Sequence, residues 1–251
     1  SPEQTHPLGN RFVLVPHSRI VAVSDRAFPI PAGARRIDGT GKFLTPGLMD
    51  AHVHVSDAIG LPFASDDPVL AALQRQFLAL QPRSYLYFGV TQVLDPSNMP
   101  ERVAEFAAQE LHPDIYRCGA APVVDGYPLV FVDQAVRHQI TKDYIFDPAN
   151  GREHPLPPGA NAAEHTPEAV VQRIAASGAL CVKVFLEDGF GPRTDWPTMS
   201  AETLRRVRTA ATKHGLLLAA HANALDMQRI AVNGDVDLIV HGVWNWNEAD
   251  D

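Results

Sequence analysis

The 251-residue chain is short of positive charge, of lysine in particular, of cysteine and of long apolar runs. Lys and Arg total 21 against 29 Asp and Glu, a formal charge of -8, and no basic run forms a patch. That balance argues against a nucleic-acid partner, whose phosphates need clustered cations. No apolar stretch approaches the roughly 18 residues of a transmembrane helix, so no membrane partner is expected. A Gly-x-Gly-x-x-Gly phosphate turn is missing, which argues against a dinucleotide fold. Cys118 and Cys181 are the two cysteines; both sit in apolar, strand-like runs and read as buried thiols. Four cations only are lysines, Lys42, Lys142, Lys183 and Lys213. The first residue is Ser1 rather than methionine, so the compartment stays open: cytoplasmic, or exported if a signal peptide was removed.

What is present describes an ordinary globular protein, 45% hydrophobic and 20% charged, long enough for one large domain with a small appendage. Phe12 to Val15 and Arg19 to Val23 read as two short strands around a Pro16-His17-Ser18 turn. They belong to a small β region over residues 1–46, with too few strands to be stable alone. From Gly47 to residue 251, strands and helices alternate. A strand from Gly47 is followed by a helix over Asp67 to Tyr87, interrupted at Pro82. Then come strand Thr91 to Leu94, helix Pro100 to Leu111 and strand Asp114 to Ala120. The irregular stretch Ala121 to His165, rich in Pro, Gly, Asp and Asn, is long enough to suggest a functional loop. Thr166 caps a helix ahead of strand Ala179 to Leu186. Ser200 caps another, followed by strand Leu216 to Ala220, helix Ala224 to Val232 and strand Val236 to Val240.

Repeated strand–helix units with apolar strands predict an α/β fold with a parallel sheet, most simply a (β/α)8 TIM-like barrel of which about six units are present. Active sites of such barrels lie at the C-terminal ends of the strands. Phe43 to Val55, reading F-L-T-P-G-L-M-D-A-H-V-H-V, puts His52 and His54 on one face of the predicted strand, because alternate residues share a face. Two imidazoles so placed can reach one divalent metal. Asp50 shares the face and can orient a ligand ring. A His-x-His pair alone is equally compatible with two surface histidines.

Lys183 adds a second signal, in an otherwise uncharged strand, Leu180 to Leu186. Burying an ammonium there is costly unless it is paired or neutralised, and burial lowers its pKa. A neutral buried amine can add carbon dioxide and become a carbamate, an anionic bridge for two metals. The plainer alternative is a lysine that snorkels to the strand end or pairs with Glu187 or Asp188. His221 and His241 end the next two strands. The other seven histidines fall in predicted loops, helix ends or the N-terminal region.

In this order T-P-G-L-M-D-A-H-V-H, V-K-V-F, A-A-H-A-N-A and I-V-H-G resemble the amidohydrolase superfamily, in particular its binuclear branch with a carboxylated lysine. R-I-V-A-V and R-R-I-D-G-T-G-K-F-L-T-P-G are similar to that family's small β-sandwich domain, here incomplete. The resemblance implies that His52 and His54 hold the more buried of two divalent metals, zinc first, and His221 and His241 the more exposed one. The Lys183 carbamate would bridge them together with a hydroxide, and Lys183, His221 and His241 are the implied catalytic residues. It also implies an aspartate on an eighth strand, whereas the sequence ends at Asp251, so a truncated barrel is expected. Asp250 and Asp251 lie too close to His241 to take that aspartate's place.

The expected chemistry is hydrolysis of an amide or cyclic amide C–N bond of a small molecule or dipeptide. The loop over 121–165 should shape specificity. Tyr127 is a candidate substrate-binding residue, as a donor to the scissile carbonyl, against the reading of a packed loop tyrosine. An ester, lactone or phosphotriester hydrolase on the same site is the first rival, and a non-catalytic barrel acting as a binding or scaffold protein the second. The partner is a small-molecule substrate, and a homo-oligomer is left open.

Overall fold

A computed structural model describes residues 6–61, 66–97, 100–191, 193 and 195–244. The chain divides into two compact units, Ser1–Pro46 and Gly47–Asp251. In the first, β1 (Phe12–Leu14) and β2 (Ala22–Ser24) pair antiparallel, with Val13 opposite Val23. The turn between them takes positive φ at His17 and Ser18 (47° and 61°), and the Arg19 N–H closes it on the Pro16 carbonyl at 3.0 Å. Positive φ at both central residues is what lets a tight turn follow the strands' right-handed twist.

The second unit is built on six parallel strands: β3 (Leu48–Asp50), β4 (Val90–Asp95), β5 (Asp114–Ala120), β6 (Cys181–Phe185), β7 (Leu217–His221) and β8 (Leu238–Ile239). They pair in sequence order, β3-β4-β5-β6-β7-β8, in a curled parallel sheet that forms part of a TIM-like barrel. Sequence order is what repeated strand–helix units produce, since each crossover returns the chain to the neighbouring position. The connecting helices are α1 (Pro68–Tyr87), α2 (Pro100–Ala107), the single turn α3 (Arg137–Ile140), α4 (Pro167–Ala176), α5 (Ala201–Lys213) and α6 (Leu225–Asn233). Their starts follow local chemistry. Asp67, Thr166 and Ser200 each accept a first-turn N–H at α1, α4 and α5, satisfying donors a helix leaves open.

Two expectations change. The helix predicted to break at Pro82 runs through it as one 20-residue element. The proline is buried, and packing there outweighs one lost main-chain bond. Cys118 and Cys181 are buried as expected, but they form a disulfide rather than standing as free thiols. Their spacing of 63 residues gave no hint of this; the register places them directly opposite each other on β5 and β6.

The main core lies between the sheet and its outer helices. Val182, Val184, Leu218 and Ala220 point outward from β6 and β7 against Val170, Val171 and Ile174 of α4 and Leu204 and Val207 of α5. On the inner side, Leu94, Cys118, Cys181 and Ala219 form a separate small cluster. Gly47 opens the first strand where a Cβ would collide with the Thr91 side chain, so only glycine allows β3 to approach β4 this closely. The irregular stretch after β5 is held by a parallel bridge between Val123 and Ile145. Buried Asp147 ties it to the start of α5, accepting the Ser200 N–H at 2.7 Å and its hydroxyl at 3.1 Å.

Candidate metal centre

Strand alternation decides which side chains meet inside the curl. Val182 and Val184 face the helices, so Lys183 between them faces inward. On β7 the same logic sends Ala219 and His221 inward. Register sets Lys183 between Ala120 and Ala219, and Phe185 beside His221. Both in-layer neighbours of the lysine are therefore alanines, which leave its long side chain uncrowded. Lys183 stands in the middle of β6, His221 ends β7, and His241 follows β8 by two residues.

His52 and His54 lie just past β3 rather than on it, a correction to the predicted strand. The His52 N–H goes to Asp50 Oδ1 at 3.1 Å, which ends the ladder there. The segment is then refastened to β4, with Val53 N–H on the Leu94 carbonyl at 3.0 Å and Val55 N–H on Asp95 Oδ2 at 2.8 Å. Val53 and Val55 are buried, and the two histidines between and beside them point the other way. Asp50 thus serves the backbone and not a ligand ring. The carboxylate beside a ring is Asp95, whose Oδ1 lies 3.7 Å from His54 Nδ1.

The four imidazoles form a chain. Ring centroids are 5.1 Å apart for His54 and His52, 4.7 Å for His52 and His241, and 4.6 Å for His241 and His221. His52 Nδ1 sits 3.1 Å from the Val240 carbonyl. A carbonyl only accepts, so Nδ1 carries the proton and Nε2 presents a free lone pair. His221 Nε2 lies 3.1 Å from Glu187 Oε2 and 3.0 Å from the Asn223 amide. Among the described residues no three His, Cys, Asp or Glu side chains converge into a closed metal shell.

Electrostatics nevertheless suit cations. Burial foremost, with the Lys183 charge contributing to each, pushes His221 down to about 3 and His52 and His241 to about 4. All three are neutral at physiological pH, the form that ligates metals. Lys183, 1% exposed, falls to about 7 through burial, against a smaller opposing pull from Asp95. Burial raises the Glu187 carboxyl to about 7. Asn223 Oδ1, buried beside His221, has no hydrogen-bond partner among the described residues. Neutral imidazoles, a lysine poised to lose its proton and an orphaned oxygen are donors for a cation, so the predicted residues fit the implied metals.

Tyr127 is brought to the same place from the 121–165 stretch. Its ring stacks on His221, with centroids 4.3 Å apart and planes 27° off parallel. Burial and the nearby Glu187 raise its phenol pKa. Asp95 and Asn223 were not singled out in the sequence, and Glu187 only as a possible partner of Lys183, whereas it sits against His221. Asp95 was within reach of sequence reasoning, since it ends β4 as His221 ends β7. Glu187 and Asn223 follow their strands by two residues, where only the folded turns bring them to His221. Asp250 and Asp251 lie outside the described residues.

The fold and this cluster define a partial parallel (β/α) barrel with metal-type donors at the carboxyl ends of its strands. No family profile matches the chain. An imidazolonepropionase of Stenotrophomonas maltophilia (strain R551-3) is 27% identical over 212 residues, covering 77% of this chain and 47% of the enzyme. Among solved structures, molinate hydrolase superposes with a TM-score of 0.64 at 20% identity, over 97% of this chain and 56% of its own. A prolidase complexed with N-methylphosphonate-L-proline gives 0.63 at 20% identity, over 96% and 58%. Phenylurea hydrolase B gives 0.64 at 19%, over 92% and 55%. At these identities the structures establish the fold, and the chain spans about half the length of the curated relative it matches. The chain is similar in sequence to that imidazolonepropionase and shares its fold with these hydrolases.

Proposed function

We propose that this chain is part of a metal-dependent hydrolase cleaving an amide or cyclic amide C–N bond of a small molecule or dipeptide. Two divalent cations, zinc first, would be held by His52, His54, Lys183, His221 and His241. The observation that carries the reading is the line of four ring-adjacent imidazoles past the carboxyl ends of parallel strands, beside a buried lysine in the middle of β6. An imidazolonepropionase, a molinate hydrolase, a phenylurea hydrolase and a prolidase are among the similar proteins, which supports a hydrolase reading.

When bound, two such cations activate water for attack and polarise a scissile carbonyl. The chain's own residues supply the setting. Depressed pKa values keep the imidazoles unprotonated and ready to ligate. A lysine at about 7 is about half free amine at neutral pH, able to add carbon dioxide with loss of one proton and so become an anionic carbamate. The His52 Nδ1–H bond to Val240 fixes that ring with Nε2 available. The ring of Tyr127 stacks on His221, which supports a role for its hydroxyl as donor to a substrate carbonyl.

Elemental analysis of the purified protein should give two divalent metals per chain, with loading helped by bicarbonate. Lys183→Ala should lose both metal and hydrolysis of an amide panel, and a short carboxylate should partly restore them. Active protein with fewer than two metals, or turnover of esters and phosphotriesters with none of amides, would refute the reading.

A further inference from the structure

Beside the histidines stands a wall of aromatic rings from three separate loops, all following carboxyl ends of strands. Tyr127 and Phe131 come from the stretch after β5, Phe190 and Trp196 from the segment after β6, and Trp244 from beyond β8. Phe131 and Trp196 meet edge to face at 5.3 Å, as do Phe190 and Trp196 at 5.1 Å, and Phe190 lies 5.5 Å from Trp244. Tyr127 joins the wall to His221. Yet Phe131 is 66% and Trp244 61% exposed. Large rings left open in one patch are uncommon on a folded surface unless they meet something. Continuity with the histidines through Tyr127 points to the substrate as the occupant.

Charge narrows its chemistry. Asp188 lies in the Phe190 loop, and its carbonyl accepts the Trp196 N–H at 2.9 Å. The nearby Asp226 charge adds to burial in raising the Asp188 pKa, so the two carboxylates share one field. Arg193 lies 5.7 Å from the Trp196 ring, but its guanidinium is taken by Asp195 at 2.7 Å. An aromatic wall with a net negative rim favours cations and neutral rings and repels anions.

We propose that Tyr127, Phe131, Phe190, Trp196 and Trp244 form a specificity subsite for an aryl or arylalkyl group of neutral or positive charge, next to the scissile bond. It rests on the hydrolase reading only for what happens to that bond. The subsite binds by stacking and excludes groups that carry a carboxylate.

Three probes sharing one ring test it by titration calorimetry: phenethylamine, 2-phenylethanol and 3-phenylpropanoate. Full chain stripped of metal is used, because a carboxylate would otherwise bind the cations. The amine and the alcohol should bind at least tenfold tighter than the anion. Phe131→Ala and Trp244→Ala, both at exposed rings and so harmless to folding, should each weaken the amine about fivefold. The double substitution Asp188→Asn, Asp226→Asn should narrow the gap between the amine and the anion. Equal or tighter binding of the anion, or no effect of either ring substitution, would overturn the subsite. Probe binding by the stripped protein, together with no metal uptake and no hydrolysis when zinc and bicarbonate are returned, supports the subsite while sinking the hydrolase reading. Turnover of aryl amides with KM unchanged in Phe131→Ala does the reverse.

Discussion

Replacing Lys183 with methionine should make the metal-free protein more stable while abolishing metal loading, and the two effects should be measured together. The lysine is 1% exposed, and burial lowers its pKa from 10.5 to about 7. At about 1.4 kcal/mol per pH unit, that fall corresponds to roughly 5 kcal/mol of native-state penalty when both states are protonated, below pH 7. At pH 7 the native amine is half neutral, and the penalty is about 4 kcal/mol. Local relaxation and water entry reduce such figures, so a gain of about 2–4 kcal/mol is expected for the uncharged, similarly shaped methionine. The sign with pH follows from proton counts. Between about pH 7 and 10.5 the unfolded chain binds more protons than the native one, so wild-type stability rises with pH across that window. The variant should lack this rise. Urea unfolding in chelator at pH 7 and pH 9, followed by circular dichroism, measures both quantities. A Lys183→Met protein less stable than wild type at pH 7, with the same pH slope, would show the ammonium to be well accommodated and the argument for a carbamate misplaced.

Acidification should also destabilise the metal-free protein. His52, His221 and His241 have native pKa values of about 4, 3 and 4 against 6.5, so stability present above 6.5 is lost as pH falls through that range. Glu187, raised to about 7, gains stability in the opposite direction between 7 and 4.5, but one group is outweighed by three. A urea midpoint that does not fall between pH 6.5 and 4.5 would contradict this. Asp147→Ala should cost about 1–2 kcal/mol, because it removes a buried carboxylate that accepts the half-buried Ser200 N–H and the exposed Ala149 N–H. An unchanged unfolding midpoint would show the 121–165 stretch to be held by other contacts. Thiol titration of the denatured, unreduced protein should find no free thiol. Reducing the 63-residue link should cost roughly 4 kcal/mol in the loop-closure estimate, read as a lower melting temperature.

Much of this protein was legible from sequence because its signals are local. Strand runs such as Asp114 to Ala120, and caps such as Thr166 and Ser200, depend on residues a few positions apart, and those elements formed where expected. The parallel fold followed from the alternation of strands and helices. Its histidines were found because strand-end chemistry in such a sheet is confined to one edge. What tertiary structure decided are contacts between distant residues. Only the register of β5 on β6 brings Cys118 opposite Cys181 and turns two expected thiols into a disulfide. Only packing lets α1 carry Pro82 through its interior. Folding also substitutes Asp95 for Asp50 as the carboxylate beside a histidine ring, sets Glu187 and Asn223 around His221, and gathers five aromatic rings from three loops. A sequence states which donors a chain owns. Which of them meet depends on strand register and loop closure, whose energies are summed over many residues and written at no single position.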